Sequence, residues 1–263
     1  MVPPSPRNVA VVTGGGQGVG RAITERLLAD GWGAVVVELD GADGAWPEAE
    51  GGRARLVAGD AGDDAVAARA AEAASELGRL TGWVNNAAVF RDAWLHEAGG
   101  AAVAELVERN LRPALAGSAA AVASFRGAGV AGSIVNVSSH QAQRPVSGAL
   151  PYSTAKAAVE GLTRALAVDY GPWGIRANAV ALGSIVTGRL EALRASQTEA
   201  ERAETDEQMR RLHPLGRAGL AAEAADVVAY LLSERSSFVS GAVIPVDGAR
   251  AVSGPDPEHR TPG

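Results

Sequence analysis

Short runs of β-branched and apolar residues alternate with longer Ala/Leu-rich stretches along almost the whole chain, and this alternation limits the possible fold more than any other feature. NVAVVTG, GAVVVELD, RARLVAGD, GWVNNAA, GSIVNVSS, GIRANAVA and GAVIPVDG read as strands, most of them apolar throughout. A strand with one wet face alternates polar and apolar residues. A continuous apolar run is buried on both faces, as in a parallel sheet covered by helices. Between the strands lie helical patterns. Val19, Ile23 and Leu27 recur at i, i+4 and i+8, with Gly31 as a stop. Residues 64–77 and 101–124 are Ala-rich and periodic, and 152–170 ends at GPWG. The pattern predicts a doubly wound α/β fold around a parallel sheet.

One segment breaks the rhythm. Residues 187–213, TGRLEALRASQTEAERAETDEQMRRLH, are long and strongly charged. Two compatible expectations follow: a solvated helical insertion, and a lid over a substrate cleft. No internal repeat or low-complexity linker divides the chain, so 1–263 is expected to form a single domain with a core of about 8–250. The Pro- and Gly-rich ends, 1–6 and about 252–263, are expected to be disordered.

Charge and composition exclude several functions. The net charge is −6 and the pI about 5.3, so there is no basic field to hold nucleic acid or an anionic membrane. Without cysteine there are no disulfides, thiolate nucleophiles or Cys-ligated zinc. His96, His140, His213 and His259 are far apart and form no HxxxH or HExxH pair, so no metal site is expected. The N-terminal MVPPSPRNVAVV lacks a secretory pattern, and no apolar run is long enough to span a bilayer. The expectation is a soluble, cytoplasmic protein.

Thr13 to Gly20, TGGGQGVG, follows an apolar strand and opens a helix. Glycines there let the turn pass tightly and bring backbone N–H groups to a pyrophosphate at the positive end of the helix. Glu38 ends the second strand about 20 residues further on, where a carboxylate accepts hydrogen bonds from a ribose diol. The same carboxylate repels a 2′-phosphate. Neither Leu39 nor Gln17 supplies a cation to hold one, so NAD is favoured over NADP. Asp60, ending the third strand, has two readings: a partner for the adenine amino group, or a turn cap.

Lys156 is the only lysine; the other 23 of the 24 basic residues are arginine. It lies four residues after Tyr152, which on a helix puts both side chains on one face, about 6 Å apart along the axis. A free tyrosine, with a pKa near 10, is a poor base at neutral pH; a nearby ammonium stabilises its phenolate. A compact ammonium also donates to a ribose hydroxyl, where a guanidinium is a broad fork. A substrate oxygen would need a further donor, and IVNVSS ends a buried strand with Ser138 and Ser139, either of which supplies a hydroxyl.

With these residues in place, the chain resembles the short-chain dehydrogenases/reductases of the NAD(P)-dependent, roughly 250-residue type, from about Asn8 to Ala249. TGGGQGVG resembles the family's TGxxxGxG loop, NNAA at 85–88 its NNAG strand end, and YSTAK its YxxxK. The resemblance selects Ser139, thirteen residues before Tyr152, as the catalytic serine, and not Ser138. It places Asn110, in ERNLRPAL, where the family keeps an asparagine that positions a water behind the lysine. It implies cofactor contacts from Gly14, Gln17, Gly18, Val19, Glu38, Leu39, Asp60, Ala61, Asn86, Ala87, Ala88, Tyr152, Lys156, Gly183, Ile185 and Thr187, with GSIVT holding the nicotinamide carboxamide. Ser139, Gln141 and Tyr152 are the implied substrate contacts. Two positions depart from the family pattern: Leu182-Gly183 replaces Pro-Gly, and Ala88 replaces Gly. Both border the cofactor; neither removes a reacting group.

The resemblance further implies a seven-stranded sheet, a homotetramer or homodimer built on the helices near 101–124 and 152–170, and hydride transfer between NAD and a secondary alcohol or ketone. Two other activities bear on the same residues: an NADPH-dependent ketoreductase, and a catalytically idle NAD-binding or sensor protein. Glu38 stands against the first, and the joint presence of Ser139, Tyr152 and Lys156 against the second.

Overall fold

A computed structural model describes residues 7–39 and 52–254. The terminal stretches 1–6 and 255–263, and Asp40 at the end of the second predicted strand, lie outside the described residues. In chain order the elements are β1 (Asn8–Thr13), α1 (Gly18–Ala29), β2 (Gly33–Glu38), β3 (Ala54–Ala58), α2 (Asp64–Leu77) and β4 (Arg79–Asn85). Then come α3 (Leu95–Ala128), β5 (Ser133–Ser139), α4 (Leu150–Tyr170), β6 (Arg176–Leu182) and β7 (Ile185–Val186). The chain continues through α5 (Gly188–Ser196), α6 (Glu199–Leu212), β8 (Gly219–Leu220), α7 (Ala221–Leu232) and β9 (Val243–Val246).

Seven strands form one sheet in the order β3-β2-β1-β4-β5-β6-β9, and every pairing is parallel. The doubly wound sheet expected from the apolar runs is therefore present. β1, β2 and β5 are buried almost end to end, whereas β3, at the edge, is partly exposed. The order reverses between β1 and β4. In open α/β sheets the crevice beyond the carboxyl ends of the strands at such a reversal is where ligands bind.

Helices cover both faces. On one side Trp83, Phe125, Ile134 and Leu166 pack with the alanines of α2, joining α2, α3 and α4 to the sheet. On the other, Ile23 and Leu27 of α1 meet Val228, Leu231 and Leu232 of α7. A chain of buried amides pins the first layer. Trp83 Nε1 donates to Asn85 Oδ1 at 2.9 Å, and Asn85 Nδ2 donates to Ser118 Oγ at 3.1 Å and to Asn136 Oδ1 at 2.8 Å. Asn136 Nδ2 then donates to Thr163 Oγ1 at 2.9 Å. Adjacent strands and the two helices over them are thus locked in register. Gly117 sits where α3 comes closest, since a Cβ there would lie 2.1 Å from Asn85 Oδ1.

Two segments differ from the sequence expectation. α3 runs well beyond 101–124, starting at Leu95 with a break at Gly99 (φ 75°) and ending on the left-handed Gly129. Small, weakly patterned residues at both ends hid those turns. α4 begins two residues earlier than expected, with Pro151 in its first turn, where a missing N–H costs nothing. The charged segment folds as two helices. Thr198 opens the second, its hydroxyl accepting from Glu201 N and the Glu201 carboxylate accepting from Thr198 N. β7 and β8 pair as a separate two-stranded ribbon at the base of these helices. No helix among the described residues is long and apolar enough to cross a membrane.

Candidate active site

A cleft of about 1520 Å³ opens at the carboxyl ends of β1, β4, β5 and β6. Small-molecule pockets usually hold roughly 300–1,000 Å³, so there is room for a dinucleotide and a substrate together. Of the site residues expected from the sequence, Gly14, Gln17, Gly18, Val19, Glu38, Leu39, Asp60, Ala61, Asn86, Ala87, Ala88, Ser139, Gln141, Tyr152, Lys156, Gly183, Ile185 and Thr187 all line it. Asn110 does not.

The glycine turn is built for close approach. Gly14 and Gly18 have φ of 62° and 54°, and a Cβ at Gly20 would lie 2.0 Å from the Gly14 carbonyl oxygen. Gln17 starts α1 without a side-chain cap, and no acid occupies the first turn. The N-terminal amides and the positive end of the helix are therefore free for an anion. Asn86 braces the turn: Nδ2 donates to the carbonyls of Thr13 and Gly14, each at 3.0 Å. Its amide is spent on backbone, so its part in the cradle is to hold the loop. Thr187 faces the turn from across the cleft, 3.6 Å from where a Gly18 Cβ would stand.

Glu38 reaches over the turn, where Oε2 accepts from Gly16 N at 3.1 Å and Oε1 from Leu39 N at 3.3 Å. These bonds fix a carboxylate at the end of β2 while leaving further lone pairs open. Asp60 caps its own turn, Oδ1 accepting from Gly62 N at 2.8 Å, and the residue lines the cleft. The cradle, the uncapped helix end and the fixed carboxylate fit a dinucleotide diphosphate and its ribose.

At the other end, β5 and α4 form a buried wall. Tyr152, Lys156 and Glu160 follow one another at four-residue intervals on the face of α4 that is turned inward. The Lys156 Nζ donates to the Val137 carbonyl at 2.7 Å and lies 5.4 Å from the Tyr152 ring centroid. Burial of the ammonium lowers its pKa to about 8. The Tyr152 ring packs against Phe90, with centroids 4.8 Å apart.

The two serines part company. Ser138 Oγ donates to Glu160 Oε1 at 3.0 Å, toward α4. Successive strand side chains point to opposite faces, so Ser139 is not drawn to that carboxylate. Ser139 Oγ accepts from Gln141 N at 3.2 Å, which leaves its own proton to give. Gln141 Oε1 accepts from Ser153 Oγ at 3.4 Å.

Asn110 stands behind the wall. Oδ1 accepts from Val89 N at 2.9 Å and Nδ2 donates to the Leu106 carbonyl at 3.0 Å, so neither amide atom faces the cleft. It secures the segment that carries Phe90 onto Tyr152. The Leu182-Gly183 departure is absorbed by β6. Leu182 pairs in register with Ser139 and Val246, and a Cβ at Gly183 would lie 2.7 Å from Asp247 Cα. Ala88 lines the cleft beside Ala87.

Sequence reasoning overlooked the Val137 carbonyl, Glu160 and Arg250; Phe90 falls in the region around Val89 to Trp94 that the sequence places along the substrate cleft. Only Glu160 left a local signal, one helical turn beyond Lys156.

The parallel sheet, its glycine turn and the Tyr152–Lys156 wall define a nucleotide-dependent oxidoreductase of the Rossmann type. Residues 14–249 match the family described as enoyl-(acyl carrier protein) reductase. The chain is 40% identical over 247 residues to cis-4-hydroxycyclohexanecarboxylate dehydrogenase of Sinomonas cyclohexanicum, covering 91% of this chain and 95% of that protein. The crystal structure of levodione reductase superposes with a TM-score of 0.82 at 32% identity, covering 94% of this chain and 98% of the other. Ligand-free aldohexose dehydrogenase of Thermoplasma acidophilum gives a TM-score of 0.85 at 27% identity, covering 98% of each chain. The chain belongs to the short-chain dehydrogenase/reductase family.

Proposed function

We propose that this protein interconverts a secondary alcohol and a ketone with NAD, using Tyr152 as general base and acid. The observation that carries the reading is the buried wall in which Tyr152, Lys156 and Ser139 meet one cleft, with Nζ fixed on the Val137 carbonyl. The bound dinucleotide supplies the hydride acceptor or donor. Tyr152 as phenolate takes the hydroxyl proton of the alcohol while the carbon gives up hydride; in reduction the same phenol returns the proton. The Lys156 ammonium favours the phenolate, and with a pKa of about 8 it is still mainly charged at neutral pH. Ser139, its lone pair engaged by Gln141 N, donates to the substrate oxygen as charge develops. Asn110 keeps the Val89–Phe90 segment against Tyr152, and a part in the water relay that returns the proton to solvent would fall to its backbone, since both side-chain amide atoms are engaged.

Glu38 supports NAD over NADP, since a carboxylate fixed by Gly16 and Leu39 accepts from ribose hydroxyls and opposes a 2′-phosphate. Leu190 of α5 and Met209 and Leu212 of α6 line the cleft, which supports reading the charged pair as a substrate lid. Exposed Leu115 on α3, Val168 on α4 and Trp173 just after it support a homotetramer or homodimer built on those helices.

The test is Tyr152→Phe. Turnover is expected to fall by about 10³-fold or more while NADH affinity stays near wild type. Near-normal turnover in this variant overturns the assignment. Initial rates with NADH and NADPH test the cofactor preference, and a faster NADPH reaction overturns it.

A further inference from the structure

The wall beyond Gly183 carries a cation that this mechanism leaves idle. Arg250 lines the cleft, half-buried, and its Nη1 donates to Ser184 Oγ at 2.6 Å. It forms no ion pair among the described residues, whereas Arg194, Arg210, Arg211 and Arg217 on the neighbouring lid and its connection are paired with carboxylates and Arg202 donates to the Gln197 carbonyl. Asp247 is the acid whose charge bears on Arg250, but it makes no ion pair with it and does not line the cleft: its Oδ1 accepts from Ala249 N at 2.9 Å and its Oδ2 from Ala251 N at 2.7 Å. Burial pulls the guanidinium pKa below its ordinary value. A half-buried cation with no ion-pair partner is held at a cost, which an incoming anion relieves.

The position is rigid. Ser184 is gripped from its backbone as well, its N–H donating to His213 Nε2 at 3.3 Å while His213 Nδ1 donates to the Met209 carbonyl at 2.8 Å. His140, the residue after Ser139, lies 3.2 Å from the Leu182 carbonyl through Nδ1. A carbonyl only accepts, so Nδ1 carries a proton, and burial holds the pKa of the ring below its ordinary value. His140 Nε2 has no hydrogen-bond partner among the described residues. This wall therefore turns one positive charge to the cleft, with the Asp247 carboxylate buried behind it, and runs directly through His140 to the serine that faces the reacting oxygen.

We propose that Arg250 and Ser184 form a carboxylate subsite, and that the substrate is a secondary alcohol carrying a carboxylate at the end away from the reacting carbon. A single guanidinium suits a monoanion: its parallel N–H groups match the two oxygens of one carboxylate, whereas a phosphate dianion calls for a second cation. The proposal rests on the oxidoreductase reading of the cleft, and its first test uses binding alone so that the two stand or fall separately.

In calorimetry on the NADH-loaded protein, cyclohexanecarboxylate, which lacks a reacting hydroxyl, is expected to bind about 30-fold more tightly than cyclohexanecarboxamide. Arg250→Gln should erase that preference and leave NADH affinity within about 2-fold. Arg250→Lys, which keeps the charge and loses the fork, should retain part of it. In turnover assays with hydroxy acids and their methyl esters, Arg250→Gln should raise KM for the acids about 30-fold, with the ester KM and both kcat values within about 3-fold. Equal binding of acid and amide by the wild-type protein, or binding of neither, overturns the subsite. So does an equal loss of acid and ester turnover in Arg250→Gln, which would make Arg250 a brace for Ser184 only. Tyr152→Phe does not alter the calorimetric result, so a failed catalytic assignment and a failed subsite give different patterns.

Discussion

The β5–α4 wall and the α5–α6 pair border the same cleft but are held by opposite means. On the wall, Lys156, Glu160, Asn136, Ser138 and Thr163 are buried, each bonded to a fixed partner. In α6 no residue is buried, and its charges pair with one another at the surface: Glu207 with Arg210 and Arg211, and Asp206 with Arg194 of α5. Buried polar bonds are expensive to leave unmade, whereas surface ion pairs contribute little. One region is therefore built to stay still and the other can move at low cost. A reaction that needs Tyr152 in one place and a substrate able to enter asks for both.

Three substitutions probe this contrast, from the greatest effect to the least. Gly117→Val should destabilise the protein by about 3 kcal/mol or more in urea unfolding, because the new side chain displaces Asn85 and breaks the amide chain beneath the wall. A mild effect would mean that the wall is softer than the hydrogen bonds imply.

Lys156→Met separates stability from activity. The folded-state pKa of Lys156 is about 8, below the 10.5 of a free lysine. The folded protein therefore binds fewer protons than the unfolded chain between these values, and wild-type stability rises with pH across that window. Below pH 8 the full burial cost of the ammonium is present. Removing it relieves about 3 kcal/mol, and the orphaned Val137 carbonyl takes back about 1–2 of that. The variant should unfold at higher urea than wild type at pH 7, lose the advantage towards pH 10, and turn over substrate at least about 100-fold more slowly. Parallel urea titrations at the two pH values check the sign.

Glu207→Ala is the control on the lid. The two arginines hold its carboxyl at a pKa of about 2, but the group is fully exposed and the pairs are screened. Its thermal midpoint at physiological salt should match wild type. A clear drop would show that the surface network fastens the lid.

Much of this arrangement was legible in the sequence because it is local. The glycine turn, the apolar strands and the Tyr152–Lys156 spacing each fall within one element or one connection, where backbone geometry converts spacing directly into direction. Ser139 was separated from Ser138 only through resemblance; the physical reason, strand alternation against Glu160, depends on a helix twenty residues away. Arg250 left no local trace. Its meaning comes from Ser184, 66 residues earlier in the chain, and from the absence of a paired acid, which only the assembled fold can reveal. The ends of α3 were missed for a different reason, since Gly99 and the small residues around it carry too little pattern to mark a boundary.

The Val137 carbonyl also limits what the lysine can do next. An ammonium has three protons and no lone pair; with one committed to that strand, two directions are left. A sugar hydroxyl and a single solvent molecule would use both, so the amine can bridge one ligand to one exit and cannot serve a third contact. Any variant that frees the strand oxygen would give the amine a choice, and with it a second route by which protons could leak.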